Sequence, residues 1–397
     1  MRLSFRPYHD RTETVTSSRQ RAAVAADPHG ANDRAIATWL LACCAMIFLM
    51  VLIGGITRLT ESGLSITEWK PIAGILPPLS DAAWQAEFDK YKQIPEYQYV
   101  HYGMTLAEFK SIFFWEYTHR LWGRLIGIVF AVPFLWFLVR GRIRPGLWPR
   151  LAALFVLGGL QGVVGWYMVK SGLADRVDVS QYRLVAHLGL ALFIYGAMLW
   201  VALGLLPQPP VAATAAKAPP AGLRHLSSLL VLMVFVTLLS GGFVAKLNAG
   251  LVYNTFPLMD GRWIPDGYAQ MEPFWRNWFE NIPAVQFDHR LLAMSTAAVA
   301  VLTWLAAQRL LPAATPARRA GHALLAAAAL QVMLGISTLL LVVPIPLAAA
   351  HQAGAVVLLT AAIVFRHRLR APAPARFLAA DAQRSALGEH EASSVRG

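Results

Sequence analysis

The chain has 397 residues, of which 56% are hydrophobic and only 14% charged, and its mean hydropathy is +0.47. This composition excludes an ordinary soluble globular domain. The net charge of +13 could suggest a nucleic-acid partner, but its Lys and Arg residues cluster in particular loops, which is typical of a membrane protein and argues against a DNA-binding surface.

Eight stretches are long and apolar enough to cross a bilayer, whose hydrocarbon core needs about 20 helical residues. Their apolar residues do not alternate strictly with polar ones, which argues against a β-barrel. The predicted fold class is therefore an all-α polytopic membrane protein. The predicted spans are 36–57, 119–139, 150–169, 184–205, 226–245, 287–308, 321–343 and 347–365.

Basic residues are concentrated on one side of the predicted spans. Residues 1–35, 140–150, 206–225, 309–320 and 366–397 hold 21 of the 35 Lys and Arg residues but only 7 of the 22 acidic residues. Cytoplasmic loops carry such an excess. We therefore predict cytoplasmic termini and a place in the bacterial inner membrane, or in the mitochondrial inner membrane with matrix termini. The N-terminal tail has no apolar stretch of its own, so we predict no cleaved signal peptide.

The first span contains Cys43 and Cys44, the only cysteines of the chain. Adjacent residues of one helix point in different directions and seldom bridge, so we predict two small membrane-facing residues. No cysteine is left in the loops for a disulfide or a structural zinc site.

Two outward-facing loops, 58–118 and 246–286, are long and rich in aromatic residues. Because such residues suit the headgroup level, we expect both loops to lie as caps over the helix ends. Their tryptophans include Trp69, Trp84, Trp115, Trp263, Trp275 and Trp278.

An internal repeat divides the chain into two halves. GGITRLTESGL from Gly54 corresponds to GGFVAKLNAGL from Gly241, and EYTHR from Glu116 corresponds to QFDHR from Gln286. Further along each half, LQGVVG corresponds to LQVMLG and AHLGLAL corresponds to AHQAGAV. Four spans per half is an even number, so both halves run the same way. This predicts two tandem four-helix bundles related by a pseudo-two-fold axis along the membrane normal. The predicted parts are a tail 1–35, a bundle 36–205, a linker 206–225, a bundle 226–365 and a tail 366–397.

Four of the eleven histidines occupy matching places in this repeat, each near the outward-facing end of an even-numbered span. Neutral imidazole is a good axial ligand for haem iron, and helix bundles build cofactor sites from facing helices. We therefore predict one haem site in each half. A metal site without porphyrin and histidines bonded only to neighbours are the alternatives. The predicted pairs of iron ligands are His119 with His187 and His289 with His351.

Five basic residues lie at the same outer level. They could bind haem propionates through charge-assisted hydrogen bonds, or simply extend to the membrane interface. These residues are Arg58, Arg120, Arg183, Lys246 and Arg290.

The other histidines have no matching place in the repeat. His101, in the first long loop, could help to shape an entrance. The rest are predicted to be solvated surface residues, namely His9, His29, His225, His322, His367 and His390.

One difference between the halves bears on chemistry. Glu116 precedes His119 by three residues, so the two share a helix face, whereas the repeat counterpart of Glu116 is Gln286, which cannot ionise. A carboxylate beside the first pair could accept or shuttle protons. Asp288 points away from His289 and is expected to be structural. The first site is therefore predicted to be catalytic and the second to hold a resident cofactor.

These motifs together resemble the haem A synthase family, of the kind that includes the mitochondrial assembly enzyme. The resemblance covers residues 36 to 366 and rests on GGITRLTESGLSITEWKPIAGILPP, EYTHRLWGR, AHLGLAL, FDHR and HQAGA. Some members carry a cysteine pair in an outward-facing loop. The absence of loop cysteines here is typical of the proteobacterial and mitochondrial type.

The resemblance implies an oxidoreductase that converts the C8 methyl group of haem O to a formyl group by successive hydroxylations, with water as the oxygen source. It implies that His119 and His187 hold the substrate haem with Glu116 as the essential acid, and that His289 and His351 hold a resident haem b. The implied partners are membrane lipid, a haem O synthase and cytochrome oxidase assembly factors. The electron acceptor is left open, and a homo-oligomer is possible.

Two other functions are alternatives to this enzyme. A di-haem cytochrome b that only relays electrons would have no need for an acid in one half alone. A transporter would be expected to have polar or broken-helix positions near the bilayer midplane, whereas the paired histidines are predicted at the outer edge.

Overall fold

The computed structural model describes residues 30–69, 73–175, 179–207 and 219–370. Within these ranges, eight helices are long and apolar enough to span a membrane, which confirms the predicted number of spans and the all-α class. They are α1 (Gly30–Leu59), α2 (Leu106–Val139), α3 (Trp148–Asp175), α4 (Gln181–Leu205), α5 (Ala221–Lys246), α6 (Ile282–Leu310), α7 (Pro316–Leu340) and α8 (Ile345–Arg368).

Three regions named in the sequence predictions fall outside the described residues. These are the N-terminal tail up to residue 29, most of the linker, and the C-terminal tail from residue 371. The histidines that lie there are His9, His29 and His390.

Helix α2 begins at Leu106, well before the predicted start at residue 119. A capping box starts it: the Thr105 hydroxyl accepts from the backbone N–H of Glu108 at 3.3 Å, and the Glu108 carboxylate accepts from that of Thr105 at 2.8 Å. Hydropathy missed these turns because they carry charged residues. His119 therefore lies well inside a continuous helix, and the first outer loop ends at residue 105.

In each half the first helix packs against the second and the fourth, and the third packs against the fourth. Thus α1 contacts α2 and α4 while α5 contacts α6 and α8, and the two halves meet where α1 contacts α8 and α4 contacts α5 and α8. This packing is consistent with two tandem four-helix bundles.

Polar contacts between α8 and helices of the first half cross the boundary between the halves. Gln352 of α8 donates from Nε2 to the carbonyl of Val51 on α1 at 2.7 Å, and its amide lies against Gly55, where a side chain would clash with it. The hydroxyls of Tyr195 and Thr360 join α4 to α8 at 2.7 Å.

Cys43 and Cys44 are buried, with exposed fractions of 0% and 3%, so the prediction that they face the membrane is wrong. Adjacent residues of a helix can both be buried only when the helix is covered on more than one side. Helix α1 meets this condition because it contacts α2, α4 and α8. The Sγ atom of Cys44 lies 3.9 Å from the carbonyl oxygen of Tyr195 on α4.

The first outer loop contains two short helices: Asp81–Tyr91 packs on the first turns of α2, and Pro95–Tyr99 contacts α3. A separate apolar cluster holds them there, with Phe88 and Tyr91 buried against Phe109 of α2. Trp84 packs edge-on against Phe113. Among the other predicted loop tryptophans, Trp115 belongs to α2, and the exposed ones are Trp69, Trp263, Trp275 and Trp278.

Candidate functional site

The four repeat-matched histidines lie on four different helices. His119 is on α2, His187 on α4, His289 on α6 and His351 on α8. His119 and His187 lie near enough for their charges to interact, and so do His289 and His351, so the two histidines of each half are neighbours in space. All four residues are partly buried.

Each of these imidazoles packs against a glycine of a neighbouring helix. A Cβ atom at Gly54 would stand 3.1 Å from Cε1 of His119, and one at Gly241 would stand 3.1 Å from Cε1 of His289. Carbon atoms in contact are normally 3.5–4.0 Å apart, so only glycine allows this approach. A Cβ atom at Gly165 would likewise stand 2.9 Å from Cε1 of His187, and one at Gly335 would stand 2.9 Å from Cε1 of His351.

A glutamine accompanies one histidine of each pair, and sequence analysis did not single it out. Gln161 of α3 donates from Nε2 to the backbone carbonyl of His187 at 3.0 Å and lies 3.2 Å from its Nδ1. Gln331 of α7 makes the same contacts with His351, at 3.0 and 3.1 Å. These amides restrain the ring orientation of both histidines. The matching LQ of the two LQxxxG motifs was the available sequence signal.

His289 has a further partner that favours one tautomer. The hydroxyl of Ser240 donates to the carbonyl of Thr237 at 2.8 Å and lies 2.8 Å from Nδ1 of His289. A hydroxyl has one proton, so a Ser240 hydroxyl that donates to Thr237 accepts from Nδ1–H, and this arrangement leaves Nε2 of His289 with its lone pair free to bind a metal. The repeat counterpart of Ser240 is Ile53, which cannot do this for His119.

Glu116 is buried, with 3% exposed, and its carboxylate is fully hydrogen-bonded. Oε1 accepts from Nε and Nη2 of Arg120, at 3.0 and 2.6 Å, while Oε2 accepts from the Ser65 hydroxyl at 2.7 Å and the Ile66 N–H at 2.6 Å. Arg120 also donates to the carbonyls of Ile66 and Glu68. This ion pair therefore ties the loop after α1 to the turn of α2 that carries His119.

Gln286 occupies the equivalent place in the second half and is 2% exposed. Its Oε1 accepts from Nη2 of Arg290 at 3.0 Å, and its Nε2 donates to the carbonyl of Ala249 at 2.7 Å. Arg290 donates to the carbonyls of Tyr253 and Thr255, the same two repeat positions that Arg120 contacts. The two sites thus share the same arginine-to-carbonyl contacts, and they differ in that the first has the carboxylate of Glu116 where the second has the neutral amide of Gln286.

Of the other basic residues at this level, Arg58 donates to the Asn248 side-chain oxygen and so joins the two halves. Arg183 lies over the ring of Tyr167. Arg120 and Arg290 already bind backbone carbonyls, although the Nε of Arg290 is buried without a hydrogen-bond partner in the described part of the chain. Propionate binding by Arg58, Arg120 and Arg290 stays a prediction.

Asp288 accepts a hydrogen bond from the Tyr268 hydroxyl at 2.9 Å, so it anchors the second outer loop. Two surface histidines are exposed as predicted, His225 and His322. His367 is not: it is 5% exposed and packs edge-on against Trp200, with ring centroids 5.0 Å apart. The basic run at the end of α8 predicted a solvated residue, but Trp200 of α4 covers this one.

His101 belongs to a hydrogen-bonded chain in the first outer loop. Its Nδ1 lies 2.6 Å from the Tyr91 hydroxyl, which donates to Glu96 at 3.1 Å, and its Nε2 lies 3.5 Å from the Glu61 carboxylate. Burial raises the pKa of Glu96 to about 8, and the negative charges of Glu116 and Glu61 raise it further. The hydrogen bond from Tyr91 and the positive charge of Lys246 lower this pKa, but by less. Burial also raises the pKa of Tyr91.

A family model described as Cytochrome oxidase assembly protein (COX15-CtaA) matches residues 37–363. The chain belongs to this family. A protein named heme A synthase from Nitrosospira multiformis is 54% identical over 344 residues, which cover 87% of this chain and 96% of that relative. The protein of the same name from Rhodospirillum centenum is 53% identical over 360 residues, or 90% and 94% of the two chains.

For this family member, the chemistry of the donor set can be tested against a haem. Each pair offers two imidazoles, and among the described residues no group of three or more His, Cys, Asp and Glu side chains is placed to hold a metal ion. Two imidazoles suit the axial positions of an iron whose other ligands a porphyrin supplies. The contact of Ser240 with Nδ1 of His289, which directs Nε2 towards a metal, fits the same group. Hence the residues present fit haem in both halves.

Proposed function

We propose that this chain is a haem A synthase, a membrane-bound oxidoreductase that converts the C8 methyl group of haem O to a formyl group. The observation that carries this proposal is its similarity, over nearly its whole length, to proteins named heme A synthase. The eight membrane helices and the two histidine pairs suit such a substrate, because haem is apolar and its iron takes imidazole ligands.

We assign the substrate to the first half. His119 and His187 bind the iron of haem O there and so fix the position of its ring. Glu116 supports this assignment because it places a buried carboxylate one helical turn before His119, where the second half has an amide. The Glu116–Arg120 pair holds the loop over the first pair of histidines, and this loop limits the access of water.

The overall conversion requires one water and releases protons and electrons. For each molecule, a methyl group and one water become a formyl group, four protons and four electrons. Glu116 is placed to handle protons on this side, through the Ser65 hydroxyl that it already contacts at 2.7 Å. A hydroxyl can both accept and donate a proton, so Ser65 can pass one on while Arg120 keeps the carboxylate in place.

We assign a resident haem b to His289 and His351 in the second half. When bound, it would supply one-electron chemistry. Ser240 and Gln331 orient its two ligands. The neutral Gln286 leaves this pair without a proton-handling group, which suits a site that only holds a cofactor.

The protein is proposed to lie in the bacterial inner membrane with cytoplasmic termini and the histidine pairs towards the outer face. The excess of Lys and Arg in the tails and inner loops supports this orientation. Haem O is the proposed substrate. A haem O synthase and cytochrome oxidase assembly factors are the proposed protein partners.

Co-expression with a haem O synthase tests this function. Extracted haem is separated by chromatography, and haem A is expected only when the chain is present. Glu116→Gln is expected to abolish haem A and to keep both haems bound, while the matched change Gln286→Glu keeps activity because it lies at the other site. A chain that never yields haem A while it retains two tightly bound haems would be an electron-relaying cytochrome instead.

A further inference from the structure

A cavity of about 340 Å³ lies at the opposite end of the helices from the histidine pairs, where the two halves meet. It is formed by the end of α4, the beginning of α5 and the end of α8. None of these residues takes part in the proposed reaction. The residues that line it are Trp200, Arg224, His225, Arg366 and Arg370.

The lining is strongly basic. Arg366 interacts electrostatically with both Arg224 and Arg370, and like charges at this separation repel. The guanidinium groups of Arg366 and Arg370 lie 5.9 and 5.2 Å from the ring centre of Trp200, and Arg366 donates from Nε to the Ser228 hydroxyl at 2.8 Å. These contacts hold the cations in place without neutralising them. Among the residues that the structure describes, no carboxylate lines the cavity.

The cavity also borders a surface that faces the hydrocarbon. His225, Leu229 and Leu232 are three and four residues apart, so they follow one face of α5. Leu229 and Leu232 are 46% and 57% exposed, and the cavity beside them is lined by Trp200. Tryptophan and basic residues at the ends of membrane helices lie at the headgroup level, with apolar residues below them.

We propose that this cavity binds the phosphate of an anionic phospholipid whose acyl chains lie along the Leu229 and Leu232 face of α5. A phosphate supplies the negative charge that Arg224, Arg366 and Arg370 lack, and bidentate hydrogen bonds from guanidinium groups suit it. Basic pockets between helices on the cytoplasmic side are known to select anionic headgroups. The bound lipid would join the two halves, since its ligands come from α4, α5 and α8.

The test uses the full chain in detergent and native mass spectrometry to count retained phosphatidylglycerol and phosphatidylcholine. Wild type is expected to retain phosphatidylglycerol selectively. The triple variant Arg224→Gln, Arg366→Gln, Arg370→Gln is expected to lose this affinity at least tenfold. The control is Arg140→Gln, Arg309→Gln, Arg319→Gln, which removes three exposed charges outside the cavity and is expected to behave as wild type.

His225→Glu is a second variant, since this exposed residue is not needed for folding and a carboxylate at the rim repels the lipid. The haem spectrum and gel filtration verify that each variant is folded. Equal retention of both lipids by wild type, or equal loss in the control, would overturn the proposal. Binding of inorganic phosphate by wild type with no phospholipid retained would instead identify free phosphate as the occupant and rule out the lipid.

Discussion

Replacing Gly335 by alanine is expected to weaken the binding of the resident haem with no change to any ligand. The new Cβ would stand 2.9 Å from Cε1 of His351, whereas carbon atoms in contact are about 3.5–4.0 Å apart. The imidazole must therefore retreat by roughly 0.6–1.1 Å. Gln331 opposes this movement because it contacts both Nδ1 and the backbone carbonyl of the same histidine.

Overpacking of this kind costs about 1–3 kcal/mol. Every 1.4 kcal/mol is a tenfold change in affinity, so haem b is expected to bind about 5- to 150-fold more weakly. The change also favours the helix itself by about 1 kcal/mol, since alanine has a higher helix propensity than glycine. A loss of haem therefore cannot come from weakening α7.

The assay is the rate at which purified protein transfers haem b to an excess of apomyoglobin. The matched control is Gly162→Ala on α3, where a Cβ meets nothing within 4 Å. Gly165→Ala is the counterpart in the first half, and it is expected to lower haem A formation while haem b stays bound. Wild-type transfer rates in Gly335→Ala would show that His351 does not depend on this close contact, and the reasoning would fail.

Three further predictions concern the second site and the outer loop. His289→Ala is expected to remove the haem b spectrum, and unchanged absorption would mean that the ligand is wrongly assigned. Ser240→Ala removes the acceptor for Nδ1–H of that histidine and is expected to weaken haem b binding about 10- to 100-fold, measured by haem transfer; an unchanged rate would contradict the assigned tautomer. Glu96 has a pKa of about 8 when folded, against 4.5 otherwise, so its protonated form stabilises the first outer loop. This stabilisation is complete below about pH 4.5 and is lost as the pH rises through 8. Proteolysis of the loop is expected to accelerate over that range in wild type and not in Glu96→Gln, and equal pH profiles would refute the assignment.

Much of the architecture could be predicted because the two halves share side chains at matching positions, so the repeat can be detected in the sequence. The histidine pairs and the exchange of Glu116 for Gln286 follow from aligned motifs. The contacts of Arg120 and Arg290 could not be predicted in this way. Both guanidinium groups bind backbone carbonyls, and a carbonyl is offered by any residue, so the loop sequences at these positions need not match.

Local context explains the other differences between sequence and structure. The early start of α2 was signalled by Thr105 and Glu108, which have the spacing of a capping box, but hydropathy alone does not register it. The burial of Cys43 and of His367 depends on which helices surround them. That arrangement is set by contacts between distant parts of the chain, which composition and periodicity do not encode.

The contact between Gln352 and the carbonyl of Val51 has a consequence for electron transfer. Gln352 directly follows His351, and Val51 lies one turn before Gly54, against which His119 packs. The two pairs of histidines are therefore separated by two packed helices, α1 and α8, which a hydrogen bond joins. Tunnelling rates fall exponentially with separation, so helices joined in this way would hold the distance between the two proposed haem sites constant, and with it the rate of electron transfer between them.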